Sequence, residues 1–141
     1  MLPSDADASS DTATDTEVPG QQLAVAAEVL YLVNLMLAPG LGFVLIAWLW
    51  LTRRQSAPLL ALNHLRQAFW VSLWGGVLIV SACAGFILAF GLDSPWTWTY
   101  LIIYFTCVHS SLIVFGVVGL TRAMAGKTYI YPLIGVNDGS H

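Results

Sequence analysis

The long apolar runs of this sequence contain few side chains that could take part in chemistry, and His109 is one of them. Ionisable residues within an apolar helix are functional candidates, because placing them in lipid is costly. A histidine there can serve as a hydrogen-bonded packing residue, as a proton relay, or as a haem or metal ligand. We favour the packing role, since a haem needs a second ligand at similar depth and His64 lies at the predicted edge of a span.

The sequence also suggests neighbours for His109. If the runs on either side of residues 91–98 form a hairpin, Ser81 lies at the depth of His109 and Cys83 at that of Cys107. Residues two apart on a helix point about 200° apart, so the two pairs cannot both face the helix interface. Either Ser81 bonds to His109 across the hairpin, or His109 faces another helix or a lumen. The two cysteines are interpreted as small apolar fillers, because disulfide frameworks and zinc sites need more ligands.

Glu28 is the acid that lies near the start of the first apolar stretch. If a span begins there, its carboxylate lies in the headgroup region, which is the favoured interpretation. If the helix begins at Gln21 instead, Glu28 lies deeper. The sequence contains no phosphate loop, zinc motif, serine-nucleophile motif or carboxylate pair, so no catalytic residue, cofactor or metal is predicted and no enzyme activity is expected.

The composition is that of a chain surrounded by lipid or protein. Hydrophobic residues make up 57% of the 141 residues and charged residues only 9%, whereas soluble domains carry about 25% charged residues. Six of the eight acids precede residue 29, and all five basic residues follow residue 52. Because there is no basic patch, nucleic acid is not an expected partner. The expected partners are the lipid bilayer and other membrane subunits or a second copy.

Two apolar runs, 68–92 and 99–120, exceed the roughly 20 residues with which a helix crosses a bilayer. A tight turn between them predicts an antiparallel hairpin. Residues 59–67, just before the first of these runs, have the spacing of a short amphipathic helix in the headgroup region that continues into the span.

The first apolar stretch, 21–51, is interrupted by Pro39 and Gly40. We favour one interrupted span over 28–51, and the alternative is two short helices, 21–37 and 41–51. The predicted fold is therefore an all-α, multi-pass transmembrane helical bundle of three spans, or of four helices in the alternative.

The sequence predicts how the chain is divided and how it is oriented in the membrane. Residues 1–20 are expected to be a disordered acidic tail, 21–135 a transmembrane helical domain, and 136–141 a C-terminal tail. Basic residues favour the cytoplasmic side, so the loop after the first span and the C-terminus are predicted to be cytoplasmic. Three spans place the acidic tail in the periplasm, whereas a hairpin in the first stretch places it inside.

Small and aromatic residues suggest how the helices pack and where they meet the headgroups. Small residues recur every four positions and predict close helix packing, within the hairpin or with a partner: Ser72 and Gly76, then Ser81, Gly85 and Ala89. All the tryptophans lie near predicted span ends, as interface anchors do: Trp48, Trp50, Trp70, Trp74, Trp96 and Trp98.

Two short stretches carry a resemblance to a known family. One is Ala61-Leu62-Asn63-His64, after a loop with arginines and Ser56-Ala57-Pro58; the other is 125–133, Ala-Gly-Lys-Thr-Tyr-Ile-Tyr-Pro-Leu. Over about residues 22–135 the chain resembles the small bacterial membrane proteins of unknown function related to the twenty-kilodalton membrane subunit of the chloroplast inner-envelope translocon, a Tic-like family.

The family-like motif comprises Asn63, Gly126, Tyr131 and Pro132. The chain departs from the family in having His64-Leu65 where members often carry Phe-Gln, and in its acidic tail. The resemblance implies a three- or four-helix bundle in the bacterial cytoplasmic (inner) membrane, and it supplies no catalytic residue.

These observations favour a non-catalytic accessory or scaffolding subunit of a larger membrane complex. One alternative is an oligomeric channel or protein-translocation-like component, based on the resemblance and on the interrupted first span. A second alternative is a proton- or redox-linked membrane subunit that uses His109.

Overall fold

A computed structural model describes residues 17–136 of the chain. They form four α-helices: α1 (Gln21–Met36), α2 (Leu41–Arg53), α3 (Leu59–Phe90) and α4 (Pro95–Met124). Residues 17–136 contain no strand, so the all-helical prediction is confirmed. Most of the expected acidic tail, residues 1–16, and most of the expected C-terminal tail, residues 137–141, lie outside the described residues.

The first apolar stretch forms two helices that fold back on each other. Gly40 has a left-handed φ of 90° between them. The side-chain oxygen of Asn34 accepts hydrogen bonds from the backbone N–H groups of Gly40 (3.0 Å) and Phe43 (2.9 Å). A Cβ at Gly42 would lie 2.7 Å from the Cα of Asn34, so only glycine allows the two helices this close. The structure therefore has the two-helix alternative and not one interrupted span over 28–51.

The predicted antiparallel hairpin is confirmed for α3 and α4. Gly91, with φ 75°, ends α3, and the Thr97 hydroxyl donates to its carbonyl at 2.5 Å. The rings of Phe86 and Tyr100 stack across the hairpin with centroids 5.7 Å apart. The expected short amphipathic helix over 59–67 is the first part of α3, which runs without interruption for 32 residues.

The helices differ in length. At 1.5 Å per residue, α3 and α4 are about 48 and 45 Å long, more than the roughly 30 Å of a bilayer's hydrocarbon core. Within the described chain these two helices are long and apolar enough to cross a membrane, by length and composition. The other two have 16 and 13 residues and are too short for that, so three crossing helices are not observed.

Several contacts bring the start of α1, the start of α3 and the end of α4 together. The Gln21 side chain donates to the Met124 carbonyl at 2.6 Å. A Cβ at Gly20 would lie 2.9 Å from the Pro58 side chain, and one at Gly126 would lie 2.7 Å from Val18. We call this the basic end, because it carries the basic residues of the loop after α2 and of the α4 terminus: Arg53, Arg54, Arg122 and Lys127.

The core lies in the half of the molecule next to the basic end, where α1 packs on α3 and α4, and α2 packs on α1 and α3. Its fully buried side chains include Tyr31, Ile46 and Leu65. Beyond the turn between α1 and α2, α3 and α4 pack on each other and on no other described helix, and they expose large apolar side chains, such as Leu88 (86% exposed) and Ile102 (63%). An apolar surface this extensive is typical of contact with lipid or with another protein.

Candidate functional site

A cluster of buried polar side chains lies near the basic end and joins three parts of the chain. Glu28 of α1, His64 of α3 and Tyr131, which follows α4, are all at most 1% exposed. One carboxylate oxygen of Glu28 lies 2.6 Å from Nδ1 of His64. Its other oxygen accepts a hydrogen bond from the Tyr131 hydroxyl. We call this the Glu28–His64–Tyr131 cluster.

The hydrogen-bond partners of His64 limit its protonation. Nε2 lies 3.0 Å from the backbone carbonyl of Lys127, and since a carbonyl only accepts, Nε2 carries a proton. Nδ1 then either carries a second proton and faces an ionised Glu28, or accepts one from a neutral Glu28. In both cases Glu28 and His64 share one proton and carry no net charge, which keeps the cost of burial down.

Tyr131 stays protonated beside this pair. Burial and then the Glu28 carboxylate raise the pKa of its hydroxyl well above the usual 10.0. The hydroxyl therefore donates its proton to Glu28 throughout the physiological pH range. Its ring packs edge-on against Tyr31, with centroids 5.4 Å apart, and the Tyr31 hydroxyl donates to the Leu112 carbonyl of α4 at 3.2 Å.

Two glycines of α4 make room for the cluster. A Cβ at Gly119 would lie 2.7 Å from the Glu28 carboxylate, and one at Gly116 would lie 2.7 Å from the Tyr31 ring. Neither glycine is among the packing residues predicted from the sequence. Two glycines three positions apart near the end of an apolar run were the available signal for a close helix approach.

The residues after α4 form a strap that folds back over α3; we call 125–136 the C-terminal strap. Gly126, with φ 65°, turns the chain out of α4. The side-chain oxygen of Asn63 accepts from the Tyr129 N–H at 2.9 Å. Gln67 bonds both the N–H (3.1 Å) and the carbonyl (2.6 Å) of Val136. Polar residues of α3 thus hold the strap at two points.

Three residues of the family-like motif meet in this region. Asn63 holds the strap, Gly126 starts it and Tyr131 enters the cluster, while Pro132 is exposed at a turn. One expectation is wrong here. Glu28 does not lie at the surface in the headgroup region: α1 begins at Gln21, as in the alternative, and the Glu28 side chain is fully buried inside the protein.

The polar atoms of the cluster are bonded within the protein. Each polar side-chain atom of Glu28, His64 and Tyr131 has a partner within the chain, and all three side chains are buried. Residues 17–136 contain no group of three or more His, Cys, Asp or Glu side chains that could hold a metal ion.

His109 lies elsewhere, on a groove near the middle of α4. Its ring stacks on Phe105 with centroids 4.8 Å apart. The alternative of a bond with Ser81 is not realised, because the Ser81 hydroxyl donates to the Leu78 carbonyl of its own helix at 3.3 Å. Cys83 is half-buried and Cys107 exposed, as small fillers on an apolar surface can be.

The groove, which we call the apolar groove, has a volume of about 750 Å³. The turn between α1 and α2 forms one wall, and α3 and α4 form the others. Apolar side chains provide most of its lining, together with a few polar ones: Asn34, Ser72, Ser81 and His109.

The small residues of α3 do not pack against α4. Ser81, Gly85 and Ala89 are exposed, and a Cβ at Gly85 or Gly76 would meet nothing within 4 Å. Ser72 and Gly76 line the apolar groove, and the glycine that does face α4 is Gly75, beside Leu112. Packing against another helix through the exposed small residues stays a prediction.

The tryptophans fall into two groups along the long hairpin. Four lie in the half nearer the basic end, on α2 and α3: Trp48, Trp50, Trp70 and Trp74. Trp96 and Trp98 lie in the first turn of α4, at the opposite end. Trp48, Trp74, Trp96 and Trp98 are at least half exposed. Their role as interface anchors stays a prediction.

Comparison with family models, with curated proteins and with solved structures found no match to this chain. The fold defines this chain as a small all-helical protein with two apolar helices of membrane-crossing length. The Tic-like resemblance stays a prediction.

Proposed function

We propose that the protein is a non-catalytic accessory or scaffolding subunit of a larger membrane complex. The observation that carries this proposal is that one half of the molecule contains a buried polar cluster and the other half exposes an apolar surface. Its ionisable cluster is fully buried and used to hold α1, α3 and the C-terminal strap together. The remaining half of α3 and α4 exposes mainly apolar side chains, together with small ones such as Ser81 and Gly85.

In this proposal α3 and α4 cross the bilayer, and α1 and α2 form a half-length hairpin that enters it from one side. Positively charged residues favour the cytoplasmic side, so the basic end is cytoplasmic. Val18 and Gly126 lie together at that end, which supports a cytoplasmic position for both ends of the described chain. The periplasmic tail required by three spans is therefore not part of the proposal. The bacterial inner membrane is the location that the family resemblance favours.

The exposed small residues of α3 are the proposed contact with a partner. Ser81, Gly85 and Ala89 lie on one face and leave the helix backbone accessible. Without a hydrophobic driving force between helices in lipid, such faces allow the close backbone packing that stabilises association. A transmembrane helix of another subunit, or of a second copy, fits this surface.

The test is native purification of a tagged copy in mild detergent, with chemical crosslinking. Wild type and Ser110→Leu, whose exposed position lies on α4, should recover stoichiometric partners. Gly85→Leu should lose them, because its side chain holds the partner backbone away. A wild-type chain that runs only as a free monomer would contradict the proposal.

The half-length hairpin favours a second candidate, an oligomeric channel or translocation component. Helices interrupted at membrane depth are tolerated where they border a cavity, and the turn between α1 and α2 borders the apolar groove. Reconstituted protein that passes neither ions nor a substrate in any oligomeric state would remove this candidate. The proton- or redox-linked alternative is tested by His109→Asn, and unchanged activity and cofactor spectra of the host complex would remove it.

A further inference from the structure

The C-terminal strap contains a strained turn. Leu133 has a φ of 71°, and within residues 17–136 it is the one residue other than glycine with a positive φ. The N–H of Ile134 donates to the carbonyl of Pro132 at 2.9 Å. This bond makes residues 132–134 a γ-turn of the rare form with a positive φ; we call it the strap turn. A side chain in this conformation crowds the backbone, so such turns persist only where their surroundings fix them.

The strap turn is fixed from its two flanks and not by its own leucine. On one side the Tyr131 hydroxyl binds Glu28, and on the other Gln67 bonds both backbone groups of Val136. The Leu133 side chain between them is 99% exposed, so packing within the described protein does not offset the strain. The flanks therefore hold a turn that presents a leucine away from the protein, which indicates a contact outside the chain.

The neighbouring helices indicate the depth of the strap turn, if α3 and α4 cross the bilayer as the proposed function holds. A hydrocarbon core of about 30 Å, centred on these helices, leaves about 9 Å of α3 and about 8 Å of α4 outside it at each end. Gln67, which bonds the end of the strap, lies about 12 Å from the start of α3. Gly119, where a Cβ would lie 2.9 Å from the Tyr131 hydroxyl, lies about 8 Å from the end of α4. Both flanks are therefore close to the boundary between headgroups and hydrocarbon.

The strap runs toward this boundary from the basic end. Its start lies nearer the headgroups, because the Lys127 carbonyl is bonded to His64, about 8 Å from the start of α3. The charged side chain of Lys127 is exposed at that level. The exposed aliphatic side chains come later in the strap and include Ile130 (46% exposed) and Leu133. A cation at the level of the phosphates, followed by aliphatic side chains at the level of the acyl chains, is typical of a segment that lies in a membrane interface.

We propose that the strap turn binds the lipid surface of the cytoplasmic leaflet. The Leu133 side chain inserts among the acyl chains, and Lys127 lies at the phosphates of anionic headgroups. Removal of the leucine from water is favourable and offsets the strain of the turn. Because the strap also covers Glu28 and His64, the inserted leucine keeps the Glu28–His64–Tyr131 cluster closed. This inference rests on the part of the proposed function in which α3 and α4 cross the bilayer.

Lipid fits this turn better than a partner protein does. A specific protein interface buries roughly 800 Å² on each side, whereas the strap turn offers one projecting leucine with Ile130 nearby in sequence. Acyl chains need no matching surface, and at this depth they surround the protein wherever no partner lies.

The first experiment measures the depth of the strap in the full chain, in nanodiscs of phosphatidylcholine and phosphatidylglycerol. A nitroxide label is attached to Leu133→Cys, in a chain that also carries Cys83→Ala and Cys107→Ala. Collisions of the label with oxygen, which concentrates in hydrocarbon, should exceed its collisions with a water-soluble nickel complex. The matched control is Lys127→Cys on the same strap, where nickel collisions should dominate. Nickel-dominated collisions at both positions would overturn the inference.

A second experiment tests whether the native leucine holds the strap in place. Leu133→Asn removes the apolar side chain, and asparagine tolerates a positive φ better than leucine does. Trypsin cleavage after Lys127 follows the population in which the strap is detached. In the nanodiscs this cleavage should be about tenfold faster in Leu133→Asn than in wild type, and Leu133→Met should be cleaved like wild type. Equal or slower cleavage of Leu133→Asn is the result expected from relief of strain alone, and it would overturn the inference.

This inference and the proposed function fail separately. A chain that recovers stoichiometric partners but whose label at Leu133→Cys lies in water would overturn the lipid contact and leave the accessory function standing. A chain without partners whose label lies in hydrocarbon would do the reverse. In native membranes, protection of the same label from both oxygen and nickel would show a protein at the strap turn, and this too would overturn the lipid contact.

Discussion

At the scale of residues, the Glu28–His64–Tyr131 cluster joins three parts of the chain. Glu28 and His64 are both fully buried, their nearest side-chain atoms lie 2.6 Å apart, and each has a further hydrogen-bond partner. Buried pairs of this kind add little stability compared with an apolar replacement of both residues. Removal of one member is different, because it leaves the other polar group without a partner in a dry interior.

We therefore expect Glu28→Ala to destabilise the protein by about 3–5 kcal/mol. It leaves His64 Nδ1 and the Tyr131 hydroxyl without their hydrogen-bond partner. The measurement is denaturant unfolding in a fixed detergent. The control is Glu17→Ala, whose exposed carboxylate accepts a hydrogen bond from the exposed Gln22 side chain, and it should change stability by less than about 0.5 kcal/mol. Equal stability of the two variants would show that the cluster does not hold the fold together.

Tyr131 gives the cluster a dependence on alkaline pH. Burial and the Glu28 carboxylate raise its pKa above the usual 10.0, so the folded state holds this proton more tightly than the unfolded state does. The stabilisation is fully present below about pH 10 and is lost as the pH rises toward the raised value.

Thermal unfolding from about pH 9 to 11 should therefore show a smaller alkaline loss of stability for Tyr131→Phe than for wild type. Tyr100→Phe, which changes an exposed tyrosine, should keep the wild-type profile. If wild type and Tyr131→Phe lost the same stability between about pH 9 and 11, the raised pKa of the Tyr131 hydroxyl would be contradicted.

At the scale of elements, close packing of α1 on α4 positions the cluster. Glycine at 116 and 119 lets the Tyr31 ring and the Glu28 carboxylate lie against the backbone of α4. A side chain at either position would separate the two helices and pull Glu28 away from His64 and Tyr131.

Gly119→Ala should cost about 1–3 kcal/mol, because its Cβ would lie 2.7 Å from the Glu28 carboxylate. Gly85→Ala is the matched control on α3, where a Cβ meets nothing within 4 Å. There the higher helix propensity of alanine should leave stability equal or raise it by up to about 1 kcal/mol. Thermal unfolding of both variants in detergent checks the difference, and a stable Gly119→Ala would contradict the close approach.

The sequence predicted those elements whose signal is local. The length of the uncharged runs indicated α3 and α4, and Gly91 with the following polar residues indicated the turn that joins them. The interruption at Pro39 and Gly40 was recognised, but its geometry was not. Whether such a break kinks one helix or reverses the chain depends on the contact between Gly42 and Asn34, which no local pattern specifies.

The cluster could not be predicted for a related reason. Glu28 meets His64 and Tyr131 across 36 and 103 residues of sequence. Taken alone, a carboxylate at the edge of an apolar run is more often a headgroup residue than a buried one. Without its partners there was no physical reason to place Glu28 inside the protein. His109, which the sequence made prominent, lies instead on the apolar groove.

At the scale of the whole molecule, the chain combines a long hairpin with a short one that covers half of it. The short hairpin and the C-terminal strap enclose a polar core near the basic end, and the long hairpin extends beyond them with an apolar surface. In the proposed arrangement both ends of the described chain lie in the cytoplasm and the turn after α3 lies on the other side. This layout distinguishes the structure from a bundle of three spans.

Cysteine labelling of sealed membrane vesicles of known orientation tests this layout directly. Val18→Cys, Asp93→Cys and Lys127→Cys, each at an exposed position, would be made in a chain that also carries Cys83→Ala and Cys107→Ala. We predict that a membrane-impermeant maleimide reaches Val18→Cys and Lys127→Cys from the cytoplasmic side only, and Asp93→Cys from the opposite side only. Labelling of Val18→Cys from the same side as Asp93→Cys would contradict the folded-back hairpin and the topology that depends on it.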